Sequence, residues 1–332
     1  MDELIEPHFT AITKNLTAAG TILSSPLPDT SIGCHCSSPY ECSLMPLCWK
    51  KVLKNDDNIF SLTGLRAERK WGLYNEGVLR TTQVPQNYKL NGKQEIQIEA
   101  DKRGKVHIDP KPIKKFVIQL KYPLYFLDFE TFNPAIPMFE GSSPYQQIPF
   151  QYSLHVQDAP SQKPHKTAHH SWIWNGNDGE GGNSGKRDPR EELLARLKGL
   201  LGKEGSIIVY NATFEKMILK QAAKASPQHE DWLGGILDRF VDLLEPFRAF
   251  HYYHPAQHGS ASIKSVLPVL TGKGYDNMDI SNGGMASTEY MRVMFTEEGA
   301  KDRSKVLKQL EEYCGLDTMG MVKILTKLKG IL

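Results

Sequence analysis

The sequence predicts an α/β fold in which helices flank a mixed β-sheet. Residues 122–131 form an apolar, aromatic run that is typical of a buried strand. Segments 148–156, 167–174 and 206–210 have the pattern of further strands, and residues 303–329 repeat apolar side chains at helical spacing. Strands that alternate with helices and end in a long helix are typical of layered α/β domains.

Composition sets broad limits. The chain has 332 residues, 40% of them hydrophobic, which is enough to bury a substantial core. A net charge of +2 neither requires nor excludes a polyanionic partner. No stretch approaches the roughly 20 apolar residues of a membrane span, and the first residues lack the pattern of a signal peptide. We therefore expect a cytoplasmic protein without a membrane partner.

Changes in pattern along the chain predict three regions. Residues 1–50 would form an N-terminal arm, including a short amphipathic helix within residues 1–20, and a cysteine cluster. Residues 51–120 would form a linking subdomain, and residues 121–332 the α/β domain. Residues 175–187, rich in Gly, Asn and charge, predict a surface loop with solvated histidines nearby (His165, His169, His170).

Two helix starts can be assigned from capping residues. Asp188 followed by proline predicts a helix to about residue 201. Asn211 is predicted to cap the next helix through its side chain, because Asn accepts hydrogen bonds from first-turn amides.

Asp128 and Glu130 are the first candidate site residues. Residues two apart in a strand share a face, so both carboxylates would point to one place while Phe129 packs on the other face. Neighbouring carboxylates repel unless a cation lies between them, and Mg²⁺ or Mn²⁺ prefers such oxygen ligands. The alternative is a strand that merely ends in an acidic residue.

The closing helix supplies two more candidates. Tyr313 and Asp317 are four apart and share the apolar face of that helix. A buried carboxylate needs a metal, a helix cap or an ion pair, and a structural salt bridge is the alternative interpretation. Cys314 is interpreted as a small core residue.

Glu215 lies in the first turn of the helix after a buried strand, where the helix dipole favours negative charge. Together with the other three carboxylates it could hold two cations, the arrangement used for displacement at phosphorus. Tyr313 would then orient or deprotonate the attacking water. Asp242 is the alternative to Glu215.

Three sequence blocks, Asp128-Phe-Glu-Thr131, Val209-Tyr-Asn-Ala-Thr-Phe-Glu215 and Tyr313-Cys-Gly-Leu-Asp317, resemble the exonuclease motifs of the DEDD superfamily, which includes DnaQ and ribonuclease D. The resemblance implies a ribonuclease H-like fold and 3′-to-5′ hydrolysis of single-stranded DNA or RNA ends. Tyr313, four residues before Asp317, resembles the tyrosine that marks the tyrosine subclass of the superfamily. The second block departs from the usual pattern, because it ends in Glu215 where the superfamily has Asp. Thr131, Asn211, Phe214 and Lys264 are the candidate substrate-binding residues, and the alternative for Asn211 and Phe214 is a role as helix cap and core residue.

A second resemblance, over about residues 34–330, is to a bacterial family of unknown function. It rests on Pro144-Tyr-Gln-Gln-Ile-Pro-Phe-Gln-Tyr-Ser153, the block that ends at Glu215, His254-Pro to Ser262-Ile-Lys264, and the block that ends at Asp317. In that family the exonuclease-like domain typically follows a RecB-like nuclease domain with an iron-sulfur cluster. We expect that upstream domain to lie outside this sequence.

Four of the five cysteines (Cys34, Cys36, Cys42 and Cys48) fall within fifteen residues. Such clustering favours a metal over disulfides in a reducing compartment. Zinc and a [4Fe-4S] cluster, the latter by resemblance to RecB-like nucleases, remain open alternatives, as do unligated thiols.

Other polar groups are weaker candidates. His251, His254 and His258 could suggest a second metal site, but Pro255 disrupts a helix there. Basic residues could form a nucleic-acid surface, although a solvated face is the commoner meaning (Arg66, Arg69, Lys70, Lys111, Lys114, Lys115). Two rival functions are a binding or assembly module with a decayed catalytic centre and a redox sensor built on the cysteines.

Overall fold

The computed structural model describes residues 2–26, 30–176, 188–276 and 278–332. The chain forms two compact units, Met1–Phe60 with Leu65–Gln83 and Ser61–Gly64 with Val84–Leu332. The predicted division at residues 50 and 120 stays a prediction. Most of the loop predicted over residues 175–187 lies outside the described residues.

The smaller unit contains α1 (Asp2–Leu23), α2 (Met45–Val52) and α3 (Ala67–Asn75). Its centre is aromatic: the ring of Phe60 lies 4.5 Å from those of Trp49 and Trp71. Lys70 donates a hydrogen bond from Nζ to the carbonyl of Phe60 at 2.6 Å. One of the cations proposed for a basic surface is therefore engaged in bonding within its own unit.

The larger unit contains sixteen labelled helices and strands in the described chain. They are α4 (Gly92–Arg103), β1 (His107–Ile108), α5 (Pro110–Ile118), β2 (Leu124–Phe132), β3 (Ile148–Gln157), β4 (Ala168–Ile173), α6 (Pro189–Leu200), β5 (Ser206–Val209), α7 (Ala212–Ala225), α8 (Glu230–Ile236), β6 (Phe240–Asp242), α9 (Glu245–Arg248), β7 (Tyr252–Tyr253), α10 (Ile263–Thr271), α11 (Gly283–Phe295) and α12 (Arg303–Gly330).

The main sheet has five strands in the order β4-β3-β2-β5-β6. β2 is the central strand and pairs antiparallel with β3 and parallel with β5. β1 and β7 form a separate antiparallel pair. The predicted mixed sheet flanked by helices is confirmed, and the strands predicted from residue 122 to residue 210 correspond to β2, β3, β4 and β5.

Helices cover both faces of β2, which explains its continuous apolar sequence. Leu127 and Phe129 pack in one cluster with Leu219 of α7. On the opposite face, Phe126 packs in a second cluster with Ile324 of α12. A strand buried on both sides needs apolar side chains at consecutive positions rather than at every second one.

α4 lies in the predicted linking subdomain, where no helix was predicted at these positions. The Asn91 side chain accepts hydrogen bonds from the amides of Lys93 and Gln94, and the Gln94 side chain accepts from the Asn91 amide. This capping box was visible as Asn-x-x-Gln. The helix carries few apolar residues, so periodicity alone did not reveal it.

The predicted start of α6 is confirmed. The Asp188 side chain accepts a hydrogen bond from the Arg190 amide at 3.0 Å, and Pro189 occupies the first helical position. In the described ranges, no helix has the length and apolar content needed to cross a membrane.

Candidate functional site

The central strand β2 brings the first two carboxylates together. Asp128 and Glu130 alternate with the core residue Phe129 and project from the face that α12 covers. The pairing register with β3 shifts between Glu130 and Thr131. Such bulges bend a strand and redirect its side chains, often next to functional sites.

The third carboxylate comes from α7. Glu215 lies in the first turn of this helix and is only 3% exposed. Its burial follows from the amphipathic pattern of α7, which also buries Ile218 and Leu219. The dipole of the helix favours a negative charge at this end.

The prediction that the Asn211 side chain caps α7 is wrong. Asn211 occupies the N-cap position, but its side chain makes no capping hydrogen bond in the described structure, and its backbone is left-handed with φ of 102°. The Asn211 amide instead donates to Oδ1 of Asp242 at 3.0 Å. The turn is therefore held by the neighbouring strand β6, which sequence patterns do not reveal.

The closing helix α12 supplies Tyr313 and Asp317. Both side chains are buried, at 4% and 7% exposure, on a helix surface that is mostly apolar. Residues four apart lie on one helix face, as the spacing predicted.

These elements enclose a cavity of about 430 Å³. All five predicted catalytic residues line it, as do two of the predicted substrate-binding residues, Thr131 and Phe214. Further lining residues include Asn133, Gln147, Tyr210, Ile263, Gly283, Gly284, Ser287 and Met321. The structure therefore joins three motifs that are up to 189 positions apart, from Asp128 to Asp317.

The other two predicted substrate residues lie elsewhere. Asn211 is exposed and is not among the residues that line the cavity. Lys264 is half-buried, donates from Nζ to the carbonyl of Ser281 at 2.5 Å, and lies 5.7 Å from the ring centre of Tyr313. Its ammonium group is thus beside the cavity wall.

Cys314 is buried in the core, as predicted, and also contacts the site. Its thiol is fully buried and donates towards Oδ2 of Asp128 at 3.7 Å. Ligand atoms of Asp128, Glu130 and Cys314 lie within 4.8 Å of one another. Helical spacing shows that Cys314 is buried, but only the packing of α12 on β2 shows what it contacts.

Tyr275 was also missed. Its phenol donates a hydrogen bond to Oδ1 of Asp317, and its ring lies 6.1 Å from that of Tyr313. Tyr275 lies in an irregular segment between α10 and α11, where no periodic pattern marks a residue as important.

Burial and mutual repulsion make these carboxyl groups weak acids. Burial, and then the charge of Asp317, raises the pKa of Asp128 well above its usual range. Burial and the charges of Asp128 and Asp317 do the same to the pKa of Glu130. The pKa of Asp317 is raised to about 6, chiefly by burial, with hydrogen bonding from Tyr275 and the charge of Lys264 acting in the opposite direction.

Glu215 is repelled by several neighbouring carboxylates. Burial, followed by the charges of Asp128 and Glu130, raises its pKa well above the usual range. Its Oε2 is buried and makes no hydrogen bond in the described structure. A buried carboxylate oxygen without a partner is costly, so this atom fits a cation ligand.

The donor set fits hard divalent cations. Four carboxylates share the cavity with one nearby ammonium group, that of Lys264. Mg²⁺ and Mn²⁺ take carboxylate and water oxygens, whereas the Cys314 thiol is a poorer ligand for them.

Asp242, the alternative to Glu215, is engaged in local structure. Its Oδ1 accepts hydrogen bonds from the amides of Asn211 and Leu244, and its Oδ2 lies 3.3 Å from Arg248. It is not among the residues that line the cavity.

A buried polar bridge holds α12 against the sheet beside Asp317. The Thr318 hydroxyl lies 2.7 Å from that of Ser153 and 2.8 Å from Nδ1 of His155. The Ser153 hydroxyl also contacts Nε2 of His169 at 2.9 Å, and the His155 and His169 rings stack at 4.2 Å. His169 is exposed, which agrees with its predicted solvation, and its ring also contacts the neighbouring strand through Ser153.

The four clustered cysteines belong to the smaller unit. Cys36 is buried, Cys48 is half-buried, and Cys34 and Cys42 are exposed. Within the described chain, their sulfur atoms do not form a group of three within 4.8 Å of one another. Zinc or iron-sulfur binding there stays a prediction.

The segment that contains His251, His254 and His258, a weak candidate for a second metal site, forms a short 3₁₀ helix, Pro255–Gln257, and no α-helix, as Pro255 predicted. His254 accepts a hydrogen bond from the Ala256 amide through Nδ1 at 3.1 Å. That nitrogen has a structural role at the start of the turn.

Comparison with known proteins shows that the central part of the chain is similar to a described family. Residues 125–262 match the family described as a domain of unknown function, DUF2779. The matched segment contains Asp128, Glu130 and Glu215 and ends before α11 and α12.

Three curated relatives are also uncharacterized proteins. That of Mycoplasma pneumoniae is 24% identical over 271 residues, which cover 75% of this chain and 38% of the relative. Those of Mycoplasma genitalium and Ureaplasma parvum are 23% and 24% identical, over 64% and 62% of this chain and 33% and 31% of the relatives. The chain therefore spans about a third of the length of the curated relatives it matches.

Proposed function

We propose that the larger unit is a ribonuclease H-like, DEDD-type exonuclease that hydrolyses single-stranded DNA or RNA from the 3′ end. The observation that carries this proposal is the meeting of Asp128, Glu130, Glu215 and Asp317 in one cavity. Their position on the central strand of a mixed sheet and on its flanking helices supports the ribonuclease H-like assignment. The 3′-to-5′ direction and the association with a RecB-like domain rest on the resemblance alone.

The four carboxylates would hold two Mg²⁺ or Mn²⁺ ions. Bound there, such ions supply a nucleophile at neutral pH and stabilise the charge that develops during in-line displacement at phosphorus. The carboxylates provide the negative charge that keeps both ions in place, and the apolar core around them prevents the side chains from swinging away.

Tyr313 would orient the attacking water. Its phenol lines the same cavity as the carboxylates, and hydrogen-bond reach to the water is all that this role requires. Burial and the neighbouring carboxylates raise the pKa of Tyr313 above its usual range, so it acts as a neutral donor.

Residues around the cavity would hold the nucleic acid. The half-buried ring of Phe214 lines the wall and offers a face on which a base can stack. Thr131 donates from its hydroxyl to Oε1 of Gln147 at 2.6 Å, which fixes the loop end beside the carboxylates. Lys264 would contribute charge, whereas Asn211 would contact only substrate that extends beyond the cavity.

The alternative is a binding or assembly module of the same fold with a decayed catalytic centre. Its support is Glu215, which stands where the DEDD superfamily has Asp. The longer side chain nevertheless places its carboxylate in the same cavity as the other three. This favours a working centre over a decayed one.

The test is degradation of end-labelled single-stranded DNA and RNA by the purified protein with Mg²⁺ or Mn²⁺. We expect stepwise loss of a 3′-end label, and its abolition in Asp128→Ala and Asp317→Ala, which remove ligands on different elements. Glu312→Ala is the matched control, because Glu312 is an exposed acidic residue on the same helix as Asp317. No cleavage by a protein shown to be folded would overturn the exonuclease and support the decayed module.

A further inference from the structure

The first turn of α11 faces the carboxylate cavity. Gly283, Gly284 and Ser287 line the wall, and the first turn of this 13-residue helix carries no acidic side chain. First-turn amides have no acceptor within their own helix. The Asn282 side chain accepts from the Met285 amide at 2.9 Å, and no described hydrogen bond engages the amides of Gly283 and Gly284.

An independent observation in the same cavity points to a ligand. Glu215 lines the cavity and is 3% exposed, and its buried Oε2 has no hydrogen-bond partner in the described structure. This oxygen fits a cation, whereas the helix N-terminus with its partial positive charge fits an anion. The lining of the cavity thus contains one group suited to a cation and another suited to an anion.

The charges agree with this assignment. Two bound divalent cations, together with the ammonium group of Lys264, would bring five positive charges to four carboxylates. A single negative charge, such as that of a phosphodiester, would balance the set. Lys264 has donors to spare, because only one of its three N–H groups is described in a hydrogen bond, to the carbonyl of Ser281.

We propose that the N-terminus of α11, with Lys264 and Ser287, binds a phosphate group of the substrate next to the carboxylates. This site rests on the proposed function for its choice of substrate. The amides of Gly283 and Gly284 supply the donors, and the absence of side chains at both positions lets a phosphate approach the backbone. Lys264 contributes a charge, and it also bonds the segment that leads into α11 through Ser281.

The helix geometry allows one donor to be removed without removing the helix. Gly283 is the first residue of α11, a position that accepts proline, and the preceding Asn282 is extended with φ of −155° and ψ of 157°, as a residue before proline prefers. A Cβ at Gly283 would lie 3.7 Å from Oε2 of Glu130, an ordinary contact. Gly283→Pro therefore removes the amide hydrogen of this residue. Gly283→Ala is the matched control, because it also adds a Cβ but retains the amide hydrogen.

The experiment measures binding by isothermal titration with Mg²⁺ present, using inorganic phosphate, a nucleoside 5′-monophosphate and the parent nucleoside as three probes. None of them is a phosphodiester, so no turnover occurs. We expect Gly283→Pro to weaken binding of both phosphate-bearing probes about tenfold, the effect of one hydrogen bond to a charged group. Gly283→Ala should stay within about twofold of the wild type, and nucleoside binding should not change.

Lys264→Gln is a second variant in case Gly283→Pro does not fold. It removes the charge, while the Gln amide can still donate to Ser281. We expect weaker phosphate binding together with tighter Mg²⁺ binding, because a cation beside the carboxylates opposes a metal ion. A merely structural effect would weaken both.

Several results would overturn the proposal. One is an equal loss of phosphate affinity in Gly283→Pro and Gly283→Ala, and another is a parallel loss of nucleoside binding in Gly283→Pro. A third is a loss of Mg²⁺ affinity in Gly283→Pro without a loss of phosphate affinity, which would mean that the start of α11 stabilises the Glu130 carboxylate. Phosphate binding that depends on the Gly283 amide in a protein without nuclease activity would retain this site and reject the exonuclease. Nuclease activity of the wild type, together with unchanged phosphate affinity in Gly283→Pro, would retain the exonuclease and reject the phosphate site at α11.

Discussion

The phenol of Tyr275 donates a hydrogen bond to Oδ1 of Asp317, 42 positions later in the chain. This hydrogen bond links the segment between α10 and α11 to the Asp317 carboxylate on α12. Lys264 lies 5.7 Å from the ring centres of both Tyr275 and Tyr313. Asp317 is therefore oriented by a group outside the three sequence motifs.

The first prediction concerns this hydrogen bond. Tyr275→Phe should raise the Mg²⁺ concentration needed for half-maximal activity about tenfold, because outer-shell partners orient ligand carboxylates. The measurement is a Mg²⁺ titration of exonuclease activity. Tyr122→Phe is the control, since that phenol bonds Lys329. An unchanged Mg²⁺ dependence in Tyr275→Phe would show that Asp317 is positioned without it.

The second prediction concerns Glu215. Without metal, Glu215→Gln should raise the melting temperature by about 2–4 °C, because a buried carboxylate that neighbouring carboxylates repel is replaced by a neutral amide. The same variant should lose most of the stabilisation that Mg²⁺ gives the wild type. Glu312→Gln serves as the control, since Glu312 is 60% exposed. A lower melting temperature in chelator would mean that the Glu215 charge is already compensated.

The third prediction concerns pH. The pKa of Asp317 is raised from an ordinary 3.8 to about 6, so the folded state favours its protonated form. The resulting stability is fully present below about pH 4 and is lost as the pH rises through 6. Relative to Asp317→Asn, the metal-free protein should therefore lose up to about 3 kcal/mol of unfolding free energy between these values.

Denaturant unfolding in chelator across this pH range measures the difference. Mg²⁺ binds the deprotonated carboxylates, so it should stabilise the wild type more at pH 7 than at pH 5. Parallel pH profiles for the wild type and Asp317→Asn would contradict the assignment of this effect to Asp317.

The fourth prediction concerns the polar bridge under α12. Thr318→Val keeps the shape of the side chain but leaves Ser153 and His155 without their shared partner. We expect a loss of about 1–3 kcal/mol in the free energy of unfolding. Thr326→Val on the same helix is the control, because that exposed hydroxyl bonds only the Val322 carbonyl in the described contacts, and it should change stability by less than about 0.5 kcal/mol.

The fifth prediction concerns the clustered cysteines. Protein purified without oxygen should contain stoichiometric zinc or iron, and a visible absorption band would identify an iron-sulfur cluster. Cys36→Ser should lower the metal content, whereas Cys314→Ser should leave it unchanged because Cys314 lies in the other unit. A protein without either metal, in which Cys36→Ser changes nothing, would show unligated thiols. Loss of the band with unchanged nuclease activity would limit the cluster to a structural role.

Local patterns predicted much of the larger unit. The apolar run at β2, the Asp188-Pro189 start of α6 and the apolar stripe of α12 depend on neighbours in the chain, so they are legible in the sequence. The same holds for the shared face of Asp128 and Glu130 and for that of Tyr313 and Asp317, since each pair follows from the period of its element.

Features that depend on distant partners were missed or wrong. The Asn211 cap failed because Asp242, on another strand, bonds the Asn211 amide instead. Tyr275 lies in an irregular segment, so no periodic pattern marked its contact with Asp317.

The sequence by itself determined which carboxylates share a strand or helix face, because the periods of two and 3.6 residues act over a few positions. Only the tertiary structure decided that Asp128, Glu130, Glu215 and Asp317 meet, that Cys314 and Tyr275 contact two of them, and that the N-terminus of α11 faces them. These contacts arise from the packing of α7, α11 and α12 on one sheet, and packing brings together residues whose separation along the chain carries no periodic signal.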